Sequence, residues 1–275
     1  MPMKVWKHAL VTGGASGMGL GLALRLLRRG THVSLLDLAL GDAARQQLDA
    51  AATRPGQWAF ASADVTDEAA TRAAVQAAVA RFGRPDLVIH CAGILINRAV
   101  ADTSSQAFKR VIDVNLNGSF NLSSAVLPQM QPGSRLALVA SMAGLTSNYG
   151  YGAYGASKFG VVGLAHTLRY EYEPLGIGIT CICPPEVKTP MVANERSPGN
   201  FNDISLALKD YAGSMEADAA VHAILAGVDA GRWMVIPSLQ AKLVAAAARH
   251  LPTVFFAFMN LLVRHEMRKR GMATH

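Results

Sequence analysis

Tyr154 and Lys158 stand four residues apart in the stretch "YGAYGASKFG", a spacing that suits acid–base chemistry. On a helix, positions i and i+4 share one face. A free tyrosine has a pKa of about 10, and an ammonium group one turn away is expected to lower that pKa. Neither Tyr149 nor Tyr151 has a lysine four residues later. We therefore predict that Tyr154 exchanges a proton with an alcohol or carbonyl oxygen.

Two other polar residues are candidates for the same chemistry. Ser141 follows the apolar run "RLALVA", where its hydroxyl is expected either to hydrogen-bond a reacting oxygen or to cap a turn. Asn115 lies in "VIDVNLNG", a helical pattern in which asparagine has a poor propensity. Its amide is expected either to hold a water that relays protons to Lys158 or to bond the backbone at a helix kink.

A glycine-rich turn, "VTGGASGMGLG", follows the first apolar strand and opens the first helix. Its spacing is Gly13-x-x-x-Gly17-x-Gly19. Glycines let the backbone approach a pyrophosphate, and the start of a helix offers unpaired N–H groups with a partial positive charge. The context favours dinucleotide binding over a plain tight turn.

Asp37 ends the second predicted strand, twenty residues after Gly17. A carboxylate there can accept hydrogen bonds from the adenosine ribose of NAD and would repel the 2′-phosphate of NADP. The following residue is Leu38 rather than an arginine. We predict NAD as the cofactor over NADP, with a solvated strand-end carboxylate as the alternative.

Strand and helix patterns alternate along the chain, with unbroken apolar strands such as "HVSLLDL" and "DLVIHCAG". The pattern also predicts a long helix over about residues 105–127 and a last strand, "WMVIPS". Such strands are typical of a parallel sheet covered by helices on both faces. The sequence therefore predicts a doubly wound α/β domain of about seven strands, whose ligands bind beyond the carboxyl ends of the strands. We place one catalytic domain at residues 1–238 and a helical extension at 239–275.

Together these features resemble the short-chain dehydrogenase/reductase family. The resemblance covers about residues 5–237 and rests on "TGGASGMG", Asp37, "DV" at Asp64 and Val65, "AG" at Ala92 and Gly93, Asn115, Ser141 and "YGASK". It implies a catalytic tetrad of Asn115, Ser141, Tyr154 and Lys158. Tyr154 would be the acid/base, Ser141 the partner of the substrate oxygen and Asn115 the holder of the relay water. Lys158 would lower the tyrosine pKa and bind the nicotinamide ribose.

The same resemblance implies a set of cofactor-binding residues. They are Gly13, Ser16, Gly17, Met18, Gly19, Asp37, Asp64, Val65, Ala92, Gly93, Tyr154, Lys158, Val187 and Thr189. The chain departs from the family pattern at His90–Cys91, where asparagines are usual, and at Pro184–Pro185, where the family has "PG". The first departure bears on the packing beside the sheet rather than on the chemistry.

The implied activity is an NAD(H)-dependent oxidoreductase that interconverts a secondary alcohol and a ketone, with an apolar small-molecule substrate. "PPEVKTP" is similar to the same loop of 3-ketodihydrosphingosine reductases, which makes a long-chain keto lipid at a membrane surface an alternative substrate. Asp37 opposes that alternative because those enzymes prefer NADPH. A non-catalytic NAD-sensing protein is a further alternative, and the complete tetrad argues against it.

Two segments are expected to cover apolar surface. Residues 190–213 mix apolar side chains with Pro and Gly, as a flexible substrate lid would. The extension reads as two helices broken at Pro252, with the apolar stretch "LPTVFFAFMNLLV" followed by a basic end. It is expected to pack on a partner subunit or cover its own cleft, ahead of lying on an anionic membrane surface. We predict a homo-oligomer, either a dimer or a tetramer.

Composition limits the remaining function classes. The 275 residues carry a formal charge of +7, much of it near the end of the chain, so a general nucleic-acid-binding face is not expected. The three cysteines form neither a disulfide framework nor a zinc site, and we expect no metal. We see neither a signal peptide nor a membrane span, and we expect a cytoplasmic protein.

Overall fold

Seven parallel strands form the central sheet of the computed structural model, which describes residues 4–272. Two further strands, β7 (Glu186–Val187) and β8 (Ser214–Met215), form a separate pair. The seven strands of the central sheet are β1 (His8–Thr12), β2 (His32–Asp37), β3 (Trp58–Ser62), β4 (Leu87–His90), β5 (Arg135–Val139), β6 (Gly178–Ile182) and β9 (Met234–Val235). Their order is β3-β2-β1-β4-β5-β6-β9. The chain order reverses between β1 and β4, which confirms the predicted doubly wound α/β fold.

Helices cover both faces of this sheet. They are α1 (Gly17–Arg28), α2 (Asp42–Ala51), α3 (Glu68–Phe82), α4 (Ser105–Ile112), α5 (Gly118–Val126), α6 (Gly152–Tyr172), α7 (Pro190–Glu195), α8 (Asp203–Ala212), α9 (Ala217–Asp229), α10 (Leu239–His250) and α11 (Pro252–Lys269). Strand β1 is buried throughout, with Leu10 in one hydrophobic cluster and Ala9 and Val11 in the other. The unbroken apolar strands of the sequence therefore have one cluster on each face of the sheet.

The structure corrects two element boundaries and adds a strand pair. The single helix expected over about residues 105–127 is interrupted between α4 and α5 by a π-helical segment, Asp113–Asn117. The expected last strand "WMVIPS" is reduced to β9, whose two residues pair with Cys181 and Ile182. Strands β7 and β8, which flank the expected lid, were not predicted because a two-residue pair leaves no periodicity.

The parallel register brings the functional segments to one edge. Thr12 at the end of β1 is level with His90 at the end of β4, and His90 is level with Leu138 of β5. The loops that leave these strands therefore meet at a common carboxyl edge. They carry the glycine turn, Ala92 and Ser141.

The C-terminal extension consists of α10 and α11. Within residues 4–272, no single helix is long and apolar enough to cross a membrane. Helices α10 and α11 reach that length and hydropathy only as a pair, and they are bent by 116° at the break between them. We call residues 239–272 the arm.

Candidate active site

The glycine turn packs too tightly for side chains at two of its positions. Gly13 has φ +62°, and a Cβ there would lie 2.7 Å from the backbone nitrogen of Ala92. A Cβ at Gly19 would lie 2.0 Å from the carbonyl oxygen of Gly13. Both distances are shorter than a van der Waals contact, so the turn needs glycine to bring the start of α1 up to the strand edge.

This turn borders a cleft of about 930 Å³ at the carboxyl edge of the sheet. Most of the predicted cofactor residues line it: Gly13, Ser16, Gly17, Met18, Gly19, Asp37, Asp64, Val65, Ala92, Gly93 and Thr189. The other three predicted cofactor residues are not among the lining residues and are buried: Val187 in β7, and Tyr154 and Lys158 in α6. The glycine cradle, the helix start and the carboxylate of Asp37 fit a nicotinamide dinucleotide.

Two backbone N–H groups orient the carboxylate of Asp37. Its Oδ2 accepts a hydrogen bond from the Ala15 nitrogen at 3.0 Å, and its Oδ1 accepts one from the Leu38 nitrogen at 2.8 Å. The first bond ties the glycine turn to the end of β2. Each carboxylate oxygen has further lone-pair capacity, so the group can still accept hydrogen bonds from ribose hydroxyls.

The structure brings together Ser141, Tyr154 and Lys158. Tyr154 and Lys158 are both buried on α6. The Oγ of Ser141 accepts a hydrogen bond from the Ala143 nitrogen at 3.1 Å, and its hydroxyl lies close enough to Tyr154 to act on the pKa of the phenol as a hydrogen-bonding neighbour. The Nζ of Lys158 donates to the carbonyl oxygen of Val139 at 2.9 Å and lies 5.7 Å from the centre of the Tyr154 ring.

Asn115 lies on the π-helical segment, and its amide is occupied by protein atoms. Its Oδ1 accepts from the Ile94 nitrogen at 2.8 Å, while its Nδ2 donates to the Ile94 oxygen and to Ser157 Oγ, both at 2.9 Å. These contacts match the alternative expectation, in which the amide bonds the backbone at an irregularity of the helix. Both amide hydrogens are used, whereas Oδ1 accepts one hydrogen bond and keeps a second lone pair, so the relay water stays a prediction. The observed role of Asn115 is to tie the loop after β4 to α6.

Gly93 allows this loop to lie close to the tetrad. A Cβ at Gly93 would be 3.1 Å from Asn115 Oδ1 and 3.5 Å from Lys158 Nζ. A Cβ at this position would therefore press on the Asn115 amide and reach ordinary van der Waals contact with Lys158. The glycine of the "AG" motif thus allows the cleft-lining loop after β4 to lie close to Asn115 and Lys158.

Burial controls the proton affinities of the two central groups. Burial raises the pKa of Tyr154 to about 12, although the hydrogen bond with Ser141 opposes the rise, and the charge of Glu195 adds to it. Burial lowers the pKa of Lys158 to about 8. The predicted lowering of the tyrosine pKa is thus wrong for this structure, because burial raises that pKa and Lys158 is not among the groups that shift it. Tyr154 carries its proton at neutral pH and is set to donate it.

A buried carboxylate beside Tyr154 was missed in the sequence. Glu195 is 2% exposed at the end of α7, and its Oε1 accepts from Tyr151 Oη at 2.7 Å and from Asn97 Nδ2 at 2.8 Å. Its other oxygen pairs with Lys209 of α8. Tyr151 packs edge-on against Tyr154, with ring centres 5.2 Å apart. Helix α7, which lies in the segment expected to be the lid, and helix α6, which carries Tyr154, are therefore joined by one buried polar cluster.

Further ion pairs extend this cluster through the lid. Lys209 also pairs with Glu186 of β7, and Arg196 donates to Glu186 at 2.9 Å. Arg196 pairs with Asp210 at 2.8 Å as well. One feature of the sequence could have indicated this cluster. Tyr151 lies three residues before Tyr154, a spacing that brings two side chains near one another at the start of a helix.

His90, one of the departures from the family pattern, is accommodated in the core. Its Nδ1 lies 2.7 Å from Thr12 Oγ1, and the Ala92 nitrogen donates to the same oxygen at 3.3 Å. Burial, helped by the charge of Lys158, lowers the pKa of His90 to about 3. The imidazole is therefore neutral and links the ends of β1 and β4.

The cleft also includes lining residues that no motif marks. They are Leu36, Leu38, Ala63, Thr66, Cys91, Ile94, Gln106, Lys109, Arg110, Asp113, Val114, Asn117, Pro190 and Met191. Several of them come from α4 and from the start of α7. Their position follows from how these elements pack over the sheet edge, which a sequence pattern does not contain.

Comparison with known proteins gives matches over most of the chain. A sequence model described as short chain dehydrogenase matches residues 7–199. The 3-dehydrosphinganine reductase TSC10B of Arabidopsis thaliana is 35% identical over 241 residues, covering 86% of this chain and 70% of the relative. The 3-hydroxyacyl-CoA dehydrogenase type-2 of Homo sapiens is 36% identical over 202 residues, covering 68% and 75% respectively. The crystal structure of levodione reductase matches with a TM-score of 0.75 at 30% identity, covering 84% of this chain and 95% of that one.

Proposed function

Because the chain belongs to the short-chain dehydrogenase family, we propose that it is an NAD(H)-dependent enzyme that interconverts a secondary alcohol and a ketone. Membership confirms the family resemblance of the motifs and makes the chain an oxidoreductase of the nicotinamide-dependent kind. The observation that carries the proposal is the buried pair of Tyr154 and Lys158, one turn apart on α6, with the half-buried hydroxyl of Ser141 beside the tyrosine.

The bound nicotinamide supplies or accepts the hydride. In ketone reduction, Tyr154 gives its phenolic proton to the carbonyl oxygen, and its raised pKa keeps that proton in place until transfer. Ser141 donates a hydrogen bond to the same oxygen as negative charge develops on it. Lys158, held by the carbonyl of Val139, supplies positive charge beside the phenolate that forms. In alcohol oxidation the proton moves in the opposite direction.

The choice of NAD rests on Asp37. Its carboxylate lies in the cleft wall at the end of β2, already oriented by Ala15 and Leu38. A 2′-phosphate at that position would meet a negative charge, whereas ribose hydroxyls would find acceptors. These contacts support NAD over NADP.

An apolar substrate is supported by the surroundings of the tyrosine. Leu95 packs against a buried cluster of Ala143, Tyr151 and Tyr154. Met191 of α7 lines the neighbouring cleft. A substrate carbonyl that reaches Tyr154 would therefore carry its substituents along largely hydrophobic walls.

A long-chain keto lipid is the second candidate substrate. The specific observation in its favour is the similarity to a 3-dehydrosphinganine reductase, together with an arm whose exposed face is apolar. Asp37 remains the argument against it, because the resembling reductases prefer NADPH. The reaction type is the same for both substrates.

A panel of ketones and secondary alcohols, followed at the NADH absorbance band, tests the proposal. We expect turnover with apolar secondary alcohols or ketones and higher kcat/KM with NADH than with NADPH. Tight NADH binding without turnover on any member, long-chain ketones included, would instead favour a non-catalytic NAD-sensing protein.

We also propose a cytoplasmic homo-oligomer. Phe108, Phe120 and Phe159 are 42%, 57% and 47% exposed on α4, α5 and α6, which follow one another along the chain. Exposed aromatic side chains of this kind support a subunit interface. Sedimentation velocity at several protein concentrations distinguishes a dimer or a tetramer from a monomer.

A further inference from the structure

Helix α11 of the arm buries a charged residue and exposes apolar ones, the opposite of an ordinary surface helix. Its one fully buried residue is Glu266, which is 3% exposed. Val254, Phe258 and Leu261 are instead 65%, 55% and 64% exposed. A surface helix normally turns its apolar stripe toward the core, so this stripe lacks a partner within the described part of the chain.

Four exposed apolar residues form one continuous stripe with a basic end. Leu251, Val254, Phe258 and Leu261 follow one another at steps of three or four residues, and His265 continues the same series. Beyond it lies the run "RKR" at residues 268–270. The stripe therefore passes from apolar to cationic along the helix.

Charge separates the possible partners of this stripe. Residues 239–272 contain six Lys or Arg and a single Glu. A second copy of the same surface would bring like charges together, whereas anionic lipid head groups would neutralise them. No arm residue lines the cofactor cleft, so the stripe does not cover it. The chemistry of the stripe matches an anionic lipid surface best.

The arm is also fastened to the lid. Tyr211 Oη of α8 donates to Glu266 Oε1 at 2.6 Å, and Arg270 donates to the carbonyl oxygen of Asp203 at 3.2 Å. Arg270 and Glu266 form an ion pair. The arm therefore holds α8 at its first residue and near its last. On its other side, α8 is held by the buried cluster around Lys209.

We propose that the arm docks the enzyme on an anionic lipid surface and thereby places lid helix α8 at that surface. The apolar stripe lies at the boundary between head groups and acyl chains, and the basic end lies among the head groups. One part of this inference rests on the proposed function: docking would let an apolar substrate enter the active site from the lipid phase. The binding itself requires no turnover.

Vesicle flotation of the full-length protein tests the docking. We expect it to float with phosphatidylcholine vesicles that contain phosphatidylglycerol, and to float far less with pure phosphatidylcholine or at high salt. Phe258→Ser should lower the fraction bound by about tenfold. Phe256→Ser is the matched control: both phenylalanines are 55% exposed, but two residues along a helix is a rotation of about 200°.

Three outcomes would overturn the docking proposal. They are failure to float with anionic vesicles, equal loss of flotation in the two serine variants, and loss of self-association in Phe258→Ser without any lipid binding. Circular dichroism melting of both variants verifies that they fold. A protein that floats as expected but turns over no ketone refutes the proposed function and leaves the docking intact.

Hydrogen exchange tests the link to the lid. Amides of Asp203–Ala212 should exchange more slowly when anionic vesicles are present. Tyr211→Phe removes the bond to Glu266 and should reduce this protection while flotation persists. Unchanged exchange of α8 in lipid-bound wild-type protein would contradict the placement of the lid at the surface.

Discussion

The hydroxyl of Tyr151 donates a 2.7 Å hydrogen bond to the buried carboxylate of Glu195. The first residue precedes helix α6, which carries the proposed acid Tyr154, and the second ends helix α7 of the proposed lid. Because the Tyr151 ring also packs against Tyr154, the lid position and the orientation of the proposed acid are set by the same contact. A charge in the lid thus acts on the proton affinity of the active-site tyrosine.

Glu195→Gln should therefore move the pH dependence of activity. Glu195 raises the pKa of Tyr154, so removing its charge lowers that pKa from about 12. Ketone reduction needs the protonated phenol, and its alkaline decline in kcat/KM should shift to lower pH. Alcohol oxidation needs the phenolate and should gain at a given pH below that pKa. The pH–rate profiles in both directions measure the shift.

A surface substitution provides the control for this prediction. Glu216 forms an exposed ion pair with Lys188, and Glu216→Gln should leave both profiles unchanged. In Glu195→Gln one oxygen can still accept from Tyr151 and Asn97, but the amide NH2 cannot pair with Lys209, and this loss is expected to cost about 1–3 kcal/mol of unfolding free energy. Profiles that coincide with wild type in a folded Glu195→Gln protein would refute the electrostatic coupling.

Asp37→Ala should weaken NADH binding and narrow the difference between NADH and NADPH. The carboxylate is the expected acceptor for ribose hydroxyls, and hydrogen bonds to charged groups are worth about 1.5–3 kcal/mol, or roughly 10- to 150-fold in affinity. Fluorescence titration with both cofactors gives the dissociation constants. Asp42→Ala, which removes an exposed carboxylate at the start of α2, is the control and should alter neither of the two dissociation constants. Wild-type preference for NADPH would contradict the assignment of Asp37.

Truncation after Ser238 should loosen the lid without touching the tetrad. It removes Glu266 and Arg270, which hold Tyr211 and Asp203 of α8. We expect a lower Tm and a several-fold higher KM for an apolar substrate, with kcat changed much less. Differential scanning calorimetry and steady-state kinetics measure these effects. A truncated protein with the Tm and KM of the full chain would show that the arm does not support the lid.

Local sequence patterns were sufficient to predict the sheet and much of the cleft. Unbroken apolar strands imply a parallel sheet, and its carboxyl edge must collect the residues that follow the strands, such as Gly13, Ala92 and Ser141. The spacing of Tyr154 and Lys158 is likewise a property of one helix. These inferences need no knowledge of how distant segments pack.

The remaining features depend on contacts between distant parts of the chain. Glu195 is 98 residues from Asn97 and 44 from Tyr151, so no local pattern pairs them. The amide of Asn115 is filled by Ile94, which is 21 residues earlier. The raised pKa of Tyr154 is a consequence of burial, which depends on the packed structure rather than on the spacing of Lys158.

Tyr154→Phe tests the proposed chemistry most directly. The variant keeps the ring that packs against Tyr151 but lacks the proton that the mechanism transfers. We predict that kcat/KM falls by about 10²- to 10⁴-fold while the dissociation constant for NADH stays near its wild-type value. Tyr149→Phe is the matched control: it removes a phenolic hydroxyl from a nearby tyrosine and should retain activity. Full turnover by the Tyr154→Phe enzyme would contradict the assignment of Tyr154 as the acid/base.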